Sequence, residues 1–235
     1  MDFFTLQPSE WQALLLTLKV AAAALCVALP LAVLMAYVLA RFSFPGHGLL
    51  NALVHLPLVL PPVVTGYVLL LTFGRKGAVG AFLDNTFGFT FAFNWTGAAL
   101  AAGVMAFPLM VRPIRISFEA VDPKLEEAAK SLGAHRLIAF VTVTLPLALP
   151  GILGGAILGF AKAMGEFGAT ITFVSNIPGE TRTLALALYT ATQTPSGDLA
   201  AFRLTLIAVF VAFAALIASE LLVRRLRNRM GAGHA

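Results

Sequence analysis

A chain of 235 residues that is 59% hydrophobic and only 11% charged lies far below the roughly 25% charge of a soluble domain, so a free globular fold is excluded and an integral membrane protein is implied. Its net charge of +5 does not indicate nucleic acid, because the cations flank apolar runs instead of forming one basic stripe. One cysteine, Cys26, and four scattered histidines (His47, His55, His135, His234) give no reason to expect an internal disulfide or a metal site.

Asp2 and Glu10 stand where a secretory signal would be basic, and the apolar run after them is too long for one. The first segment is therefore expected to stay in the mature protein. Residues 14–40 form the first predicted span, entered past Trp11, an aromatic suited to the interface. The second, 49–73, is interrupted by Pro57, Pro61 and Pro62, which read either as a hinge or as a static kink. The third is 95–111, with Pro108 near its end; the fourth is 147–173; the fifth is 204–223. Residues 184–193 are apolar but too short to cross alone, and are read as a re-entrant or interfacial piece outside the cytoplasm.

Charge placement sets the orientation. With the N-terminus outside, the cytoplasmic segments carry ten cations: Arg41; Arg112, Arg115, Lys124, Lys130 and Arg136; Arg224, Arg225, Arg227 and Arg229. The external segments carry four, Arg75, Lys76, Arg182 and Arg203, while Lys19 and Lys162 fall within spans. The positive-inside rule favours N-out, C-in. No internal repeat marks two fused halves, and five spans are few for a closed pathway. A homodimer with the path at its axis is the simplest remedy.

Between the third and fourth spans lies a polar segment, about 119–136. Asp122-Pro123 suits a helix start and Gly133 a helix stop. Leu125, Ala128, Ala129 and Leu132 fall on one face, and Glu126, Glu127 and Lys130 on the other, with Glu126 and Lys130 spaced for an i,i+4 pair. Such a helix is about 15 Å long, a rod suited to lie on the membrane surface, and its alanines permit close approach by a partner. The same residues would also serve an amphipathic loop helix packed on its own protein.

The spaced pattern separates those readings. Glu127-Ala128-Ala129, three residues, Gly133, nine residues, Val143, one residue, then Leu145-Pro146 resembles the cytoplasmic coupling segment of ABC importer permeases, with valine where isoleucine is usual. The runs 41–46 (RFSFPG), 55–64 (HLPLVLPPVV), 107–112 (FPLMVR) and 165–183 (GEFGATITFVSNIPGETRT) are similar to the molybdate permeases of that class, with tungstate and sulfate permeases as close relatives. The likeness covers about residues 10–223. It implies an all-α membrane fold of the type I ABC importer kind, in a single permease domain over 1–235. It further implies a bacterial plasma-membrane location and a complex of two such chains, two cytoplasmic ATPase subunits and an external molybdate-binding protein. Glu126, Glu127, Ala128, Ala129, Leu132 and Gly133 are then the ATPase-coupling residues. The chain has no phosphate-loop motif, so ATP and magnesium are expected on the partner ATPase and no cofactor or catalysis in this chain. An ion-coupled secondary carrier is the competing class; it would leave the coupling helix without a task.

A tetrahedral dianion must shed part of its hydration without being trapped, so hydroxyls and exposed backbone are expected along its route. Thr65 and Gly66 after the second-span prolines, and Gly165, Gly168, Thr170 and Thr172 in the fourth span, are the candidates; each would equally serve helix packing. Lys162 and Glu166 share a face of the fourth span. They read as an anion-attracting group with its holder, or as a structural pair fixing the subunit interface or the span's outer end.

Overall fold

The computed structural model describes residues 7–195 and 197–231, with side chains described up to residue 218 and at Leu221. His234 lies outside the described residues, as do the side chains of Arg224, Arg225, Arg227 and Arg229. Among the described residues the fold is helical throughout. In chain order the helices are α1 (Pro8–Arg41), α2 (His47–Val59), α3 (Pro62–Phe73), α4 (Ala78–Phe87), α5 (Trp95–Ala120), α6 (Pro123–Ser131), α7 (Arg136–Ala139), α8 (Leu145–Met164), α9 (Gly168–Val174), α10 (Leu184–Thr192) and α11 (Asp198–Gly231). A π-helical turn, Phe140–Thr144, joins α7 to α8 without a break.

Three long helices, α1, α5 and α8, form the centre, and small side chains let them close. Along α1 the buried residues include Ala21, Ala24, Ala28, Ala32 and Ala36. They oppose a stripe on α5 that includes Ala98, Ala102 and Ala106. Lipid tails are as apolar as leucine, so such helices associate through close packing, which small residues permit. On α8, Gly155 does the same work: a Cβ there would meet the Met110 carbonyl oxygen at 2.9 Å.

Four helical stretches are long and apolar enough to cross a membrane: Pro8–Arg41, Trp95–Ala120, Arg136–Met164 and Asp198–Ala218. The pair His47–Val59 and Pro62–Phe73 makes a fifth if it is one span, bent by 114°. The bend falls at Leu60-Pro61, where the extended conformation that a following proline imposes ends α2.

Several elements differ from the sequence expectation; the first span begins at Pro8 instead of residue 14 and the fifth at Asp198 instead of residue 204. Helix α5 does not stop near 111; it runs through Pro108 and Pro113 to Ala120, because Pro108, Met110, Val111, Ile114 and Phe118 are buried against its neighbours and that packing outweighs the lost hydrogen bonds. The fourth span is shifted towards the N-terminus. Its helix starts before residue 147 and ends at Met164, and α9 is a separate short helix beyond a break at Gly165, Glu166 and Phe167. Helix α4, in the connection before α5, was not expected at all.

The two ends of the bundle are distinct. At one, Leu184 N–H at the start of α10 donates to Thr17 Oγ1 on α1 at 2.7 Å. Nearby, Arg203 of α11 grips Glu10 Oε1 with Nε at 3.2 Å and Nη2 at 2.9 Å. At the other end, α6 sits against the last residue of α1.

Candidate functional site

Helix α6 has both its ends locked by local chemistry. Asp122 caps the start, its Oδ1 accepting from Lys124 N–H at 2.9 Å, and Pro123 occupies the first turn. At the finish Gly133 adopts φ +91°. Its N–H donates to the Lys130 carbonyl at 2.9 Å, and Ala134 N–H donates to the Ala129 carbonyl at 3.0 Å. These two bonds are the Schellman arrangement, which requires a left-handed residue where glycine stands. The rod is therefore of fixed length and is followed by a sharp turn.

Its attachment reverses part of the helical-wheel expectation. Glu126 does not decorate a solvated face: its side chain is 14% exposed and turned into the bundle. Oε1 accepts from Thr144 Oγ1 at 2.6 Å and from Arg41 Nη2 at 3.3 Å. The expected partner Lys130 is present but looser, at 3.9 Å from Oε2. Arg41 Nη2 also donates to the Val121 carbonyl at 3.0 Å. One carboxylate thus ties α6 to the end of α1 and to the turn that starts α8, and Arg41 adds the end of α5. Around this knot Tyr37 meets Phe118 and Phe140 edge-on, with ring centroids 5.4 and 4.8 Å apart.

The π turn helps to place Thr144. Leu145 N–H reaches back five residues to the Phe140 carbonyl, a wide turn of the kind found at functional positions in helices. It holds Thr144 fully buried with its hydroxyl on Glu126.

What remains outward on α6 is the apolar and small face. Leu132 is 90% exposed and Leu125 47%; Ala128 and Glu127 are exposed beside them. Ala129 is half-buried, on the inner side with Glu126. The outward tip of the anchored rod is therefore an almost bare leucine.

The other predicted residues gather in two places. Thr65 and Gly66 on α3 pack on α9: a Cβ at Gly66 would meet the Ala169 carbonyl oxygen at 2.5 Å and Thr172 Cβ at 2.9 Å, and one at Gly168 would meet Pro62 Cβ at 2.7 Å. Thr65 and Thr170 are buried, and Thr172 Oγ1 donates to the Gly168 carbonyl at 2.9 Å. These residues form a tight joint between the bent span and α9. Gly165 is apart from them, in the break after α8. In that break Glu166, with its side chain 1% exposed, accepts from Lys162 Nζ at 2.6 Å and, through Oε1, from Ala169 N–H at 3.0 Å. The pair holds the end of α8 and the start of α9 together.

Comparison with known proteins agrees with this geometry. Residues 28–228 match the family described as "Binding-protein-dependent transport system inner membrane component". The chain belongs to that family. It is 57% identical over 222 residues, 94% of this chain and 97% of the relative, to the "Molybdenum transport system permease protein ModB" of Escherichia coli (strain K12). It is 50% identical over 225 residues, 96% and 98% of the two chains, to the protein of the same description in Haemophilus influenzae. Among solved structures, that of a bacterial ABC transporter involved in the import of the acidic polysaccharide alginate superposes with a TM-score of 0.74 at 17% identity, covering 94% of this chain and 80% of the other. That likeness establishes the fold, a type I ABC importer permease, and this family member is a multi-pass membrane protein.

Proposed function

We infer that the chain is the membrane-spanning permease of an ATP-driven molybdate importer, seated in the bacterial inner membrane with its N-terminus outside. The observation that carries the reading is the outward Leu125, Ala128 and Leu132 face of a rod whose inner side is clamped to the end of α1 and to the turn that starts α8. Molybdate as cargo is supported by the 57% identity over nearly the full length of both chains.

In this account two copies of the chain enclose the path, and two ATPase subunits dock on their α6 helices. Closure of the ATPase pair pushes on Glu127, Leu125 and Leu132. Because Glu126 links the rod to α1 and α8, the push reaches both helices together instead of dissipating in a loop. Hydrolysis and its magnesium belong to the ATPase, and an external binding protein delivers the anion. The α3–α9 joint at Gly66, Gly168, Thr170 and Thr172 is then where the bent span changes its packing, and Thr65, buried with no partner for its hydroxyl among the described residues, is free to meet cargo. Lys162 and Glu166 hold the outer end of α8.

Replacing Leu132 by Asp places a charge in the docking groove without touching the rod's internal bonds. The permease should still insert, while co-purification of the ATPase subunit falls at least tenfold. Retention of the ATPase at wild-type level would remove the coupling role from α6.

A further inference from the structure

Two of the motif runs have no task in the coupling account: the one that begins at His55 on α2 and the one that ends at Arg112 on α5. They meet in a cavity of about 440 Å³, lined by Asn51, His55, Arg112, Arg115, Ile116 and Glu119. Arg112, Ile116 and Glu119 follow one another at helical spacing. They lie on the side of α5 turned away from Met110, Ile114 and Phe118, which are buried in the bundle.

We propose that this cavity is a binding site for a tetrahedral oxyanion of the cargo's class, a station at the cytoplasmic end of the path from which the anion leaves. The role of exit rests on the importer reading above; the binding chemistry does not. The donors are in place. Arg115 Nη1 donates to Asn51 Oδ1 at 3.0 Å and its Nε to Glu119 Oε1 at 2.7 Å. That fixes the guanidinium and leaves Nη2 for a ligand. Asn51 accepts through its side-chain oxygen, so its amide N–H groups remain available. His55 Nδ1 lies 2.8 Å from the Asn51 carbonyl oxygen, which steadies the ring. Arg112 is exposed, and its guanidinium has no hydrogen-bond or ion-pair partner among the described residues.

Depth and charge point to a transient anion. From Trp95, the first residue of α5, to Arg112 is seventeen residues of helix or about 26 Å. With Trp95 at the outer interface, Arg112 falls within a hydrocarbon core roughly 30 Å thick. An unpaired guanidinium at that depth is costly unless water reaches it, and such residues mark ion pathways. Two guanidinium groups against one carboxylate leave the cavity at +1 with His55 neutral, which attracts a dianion without neutralising it. The cavity has the volume of roughly fifteen waters at the ~30 Å³ each takes in the liquid, so the anion keeps much of its hydration there. Both properties make the hold loose, as release requires.

Equilibrium dialysis of the assembled permease–ATPase complex against labelled molybdate, with no binding protein present, tests the site. Arg112→Gln breaks no bond in the fold and should weaken binding about tenfold, while Arg112→Lys keeps the charge and should weaken it less. Lys76→Gln, which removes an equal charge from the opposite end of the molecule, should change nothing. Anion held by the ATPase is common to all of these complexes and cancels in the comparison. Sulfate retained in place of molybdate, with the same dependence on Arg112, would overturn the cargo and support the oxyanion site. Absence of bound anion at millimolar concentration, or equal binding by the parent and Arg112→Gln, overturns the proposal. Loss of co-purified phosphatidylglycerol in Arg112→Gln with molybdate binding unchanged would overturn it too, and give the cavity to a lipid headgroup.

Discussion

Removing the carboxylate that anchors α6 should loosen the rod without unfolding the protein. In Glu126→Ala the Thr144 hydroxyl, fully buried, loses its partner at 2.6 Å, and an unsatisfied buried donor costs about 1–3 kcal/mol. Arg41 keeps the Val121 carbonyl at 3.0 Å. Because that bond remains and the ion pair is a long one, at 3.3 Å, loss of the pair adds only about 1 kcal/mol although the side chain is largely buried. Lys130, at 3.9 Å and 40% exposed, adds almost nothing. The total, about 3 kcal/mol, corresponds to roughly a hundredfold faster amide exchange across Pro123–Ser131 and Ala134, measured by hydrogen–deuterium exchange in the membrane-embedded complex. Glu126→Gln keeps an acceptor for Thr144 and should accelerate exchange only about fivefold. Transporter complexes carrying either variant should move less cargo per ATP hydrolysed by the ATPase subunit than the parent complex. Unchanged exchange in Glu126→Ala would refute the clamp, and so would equal effects of the two substitutions.

Two further outcomes follow from the same geometry. Glu10→Gln leaves Arg203, a side chain 10% exposed, without its charge partner and should lower the thermal stability of the solubilised chain by an amount equivalent to about 3 kcal/mol, part of which Glu10→Gln with Arg203→Gln restores. A single variant as stable as the parent would show that the α1–α11 contact contributes nothing. Glu166→Gln retains the oxygen that accepts from Ala169 but weakens the grip on Lys162; assembly yield should fall while transport per assembled complex holds. Normal assembly with lost transport would move Lys162 and Glu166 into the anion's path.

The features readable in the sequence are those written in adjacent residues. Asp122-Pro123 and Gly133 announced the ends of α6 because caps depend on a few neighbouring backbone groups. Of Pro57, Pro61 and Pro62, read together as an interruption, the last two mark the bend for the same reason, while Pro57 lies inside α2. Glu126 was misplaced because a helical wheel sends any carboxylate to solvent, whereas its partners Arg41 and Thr144 lie 85 and 18 residues away. The continuation of α5 through Pro108 and Pro113 was hidden likewise, since tertiary burial decides whether a proline ends a helix. Gly165-Glu166 did carry a signal for the break after α8, a glycine followed by a potential capping carboxylate, but the apolar run around it reads as uninterrupted.

The central claim is that this chain admits molybdate under the power of a separate ATPase. Its most direct test is uptake of labelled molybdate into proteoliposomes holding the permease, the ATPase subunit and the binding protein. ATP should be required, tungstate should compete and sulfate should not. Sulfate uptake would keep the mechanism and change the cargo. Accumulation that proceeds without ATP, or without the ATPase subunit, would contradict the account and return the chain to the secondary carriers.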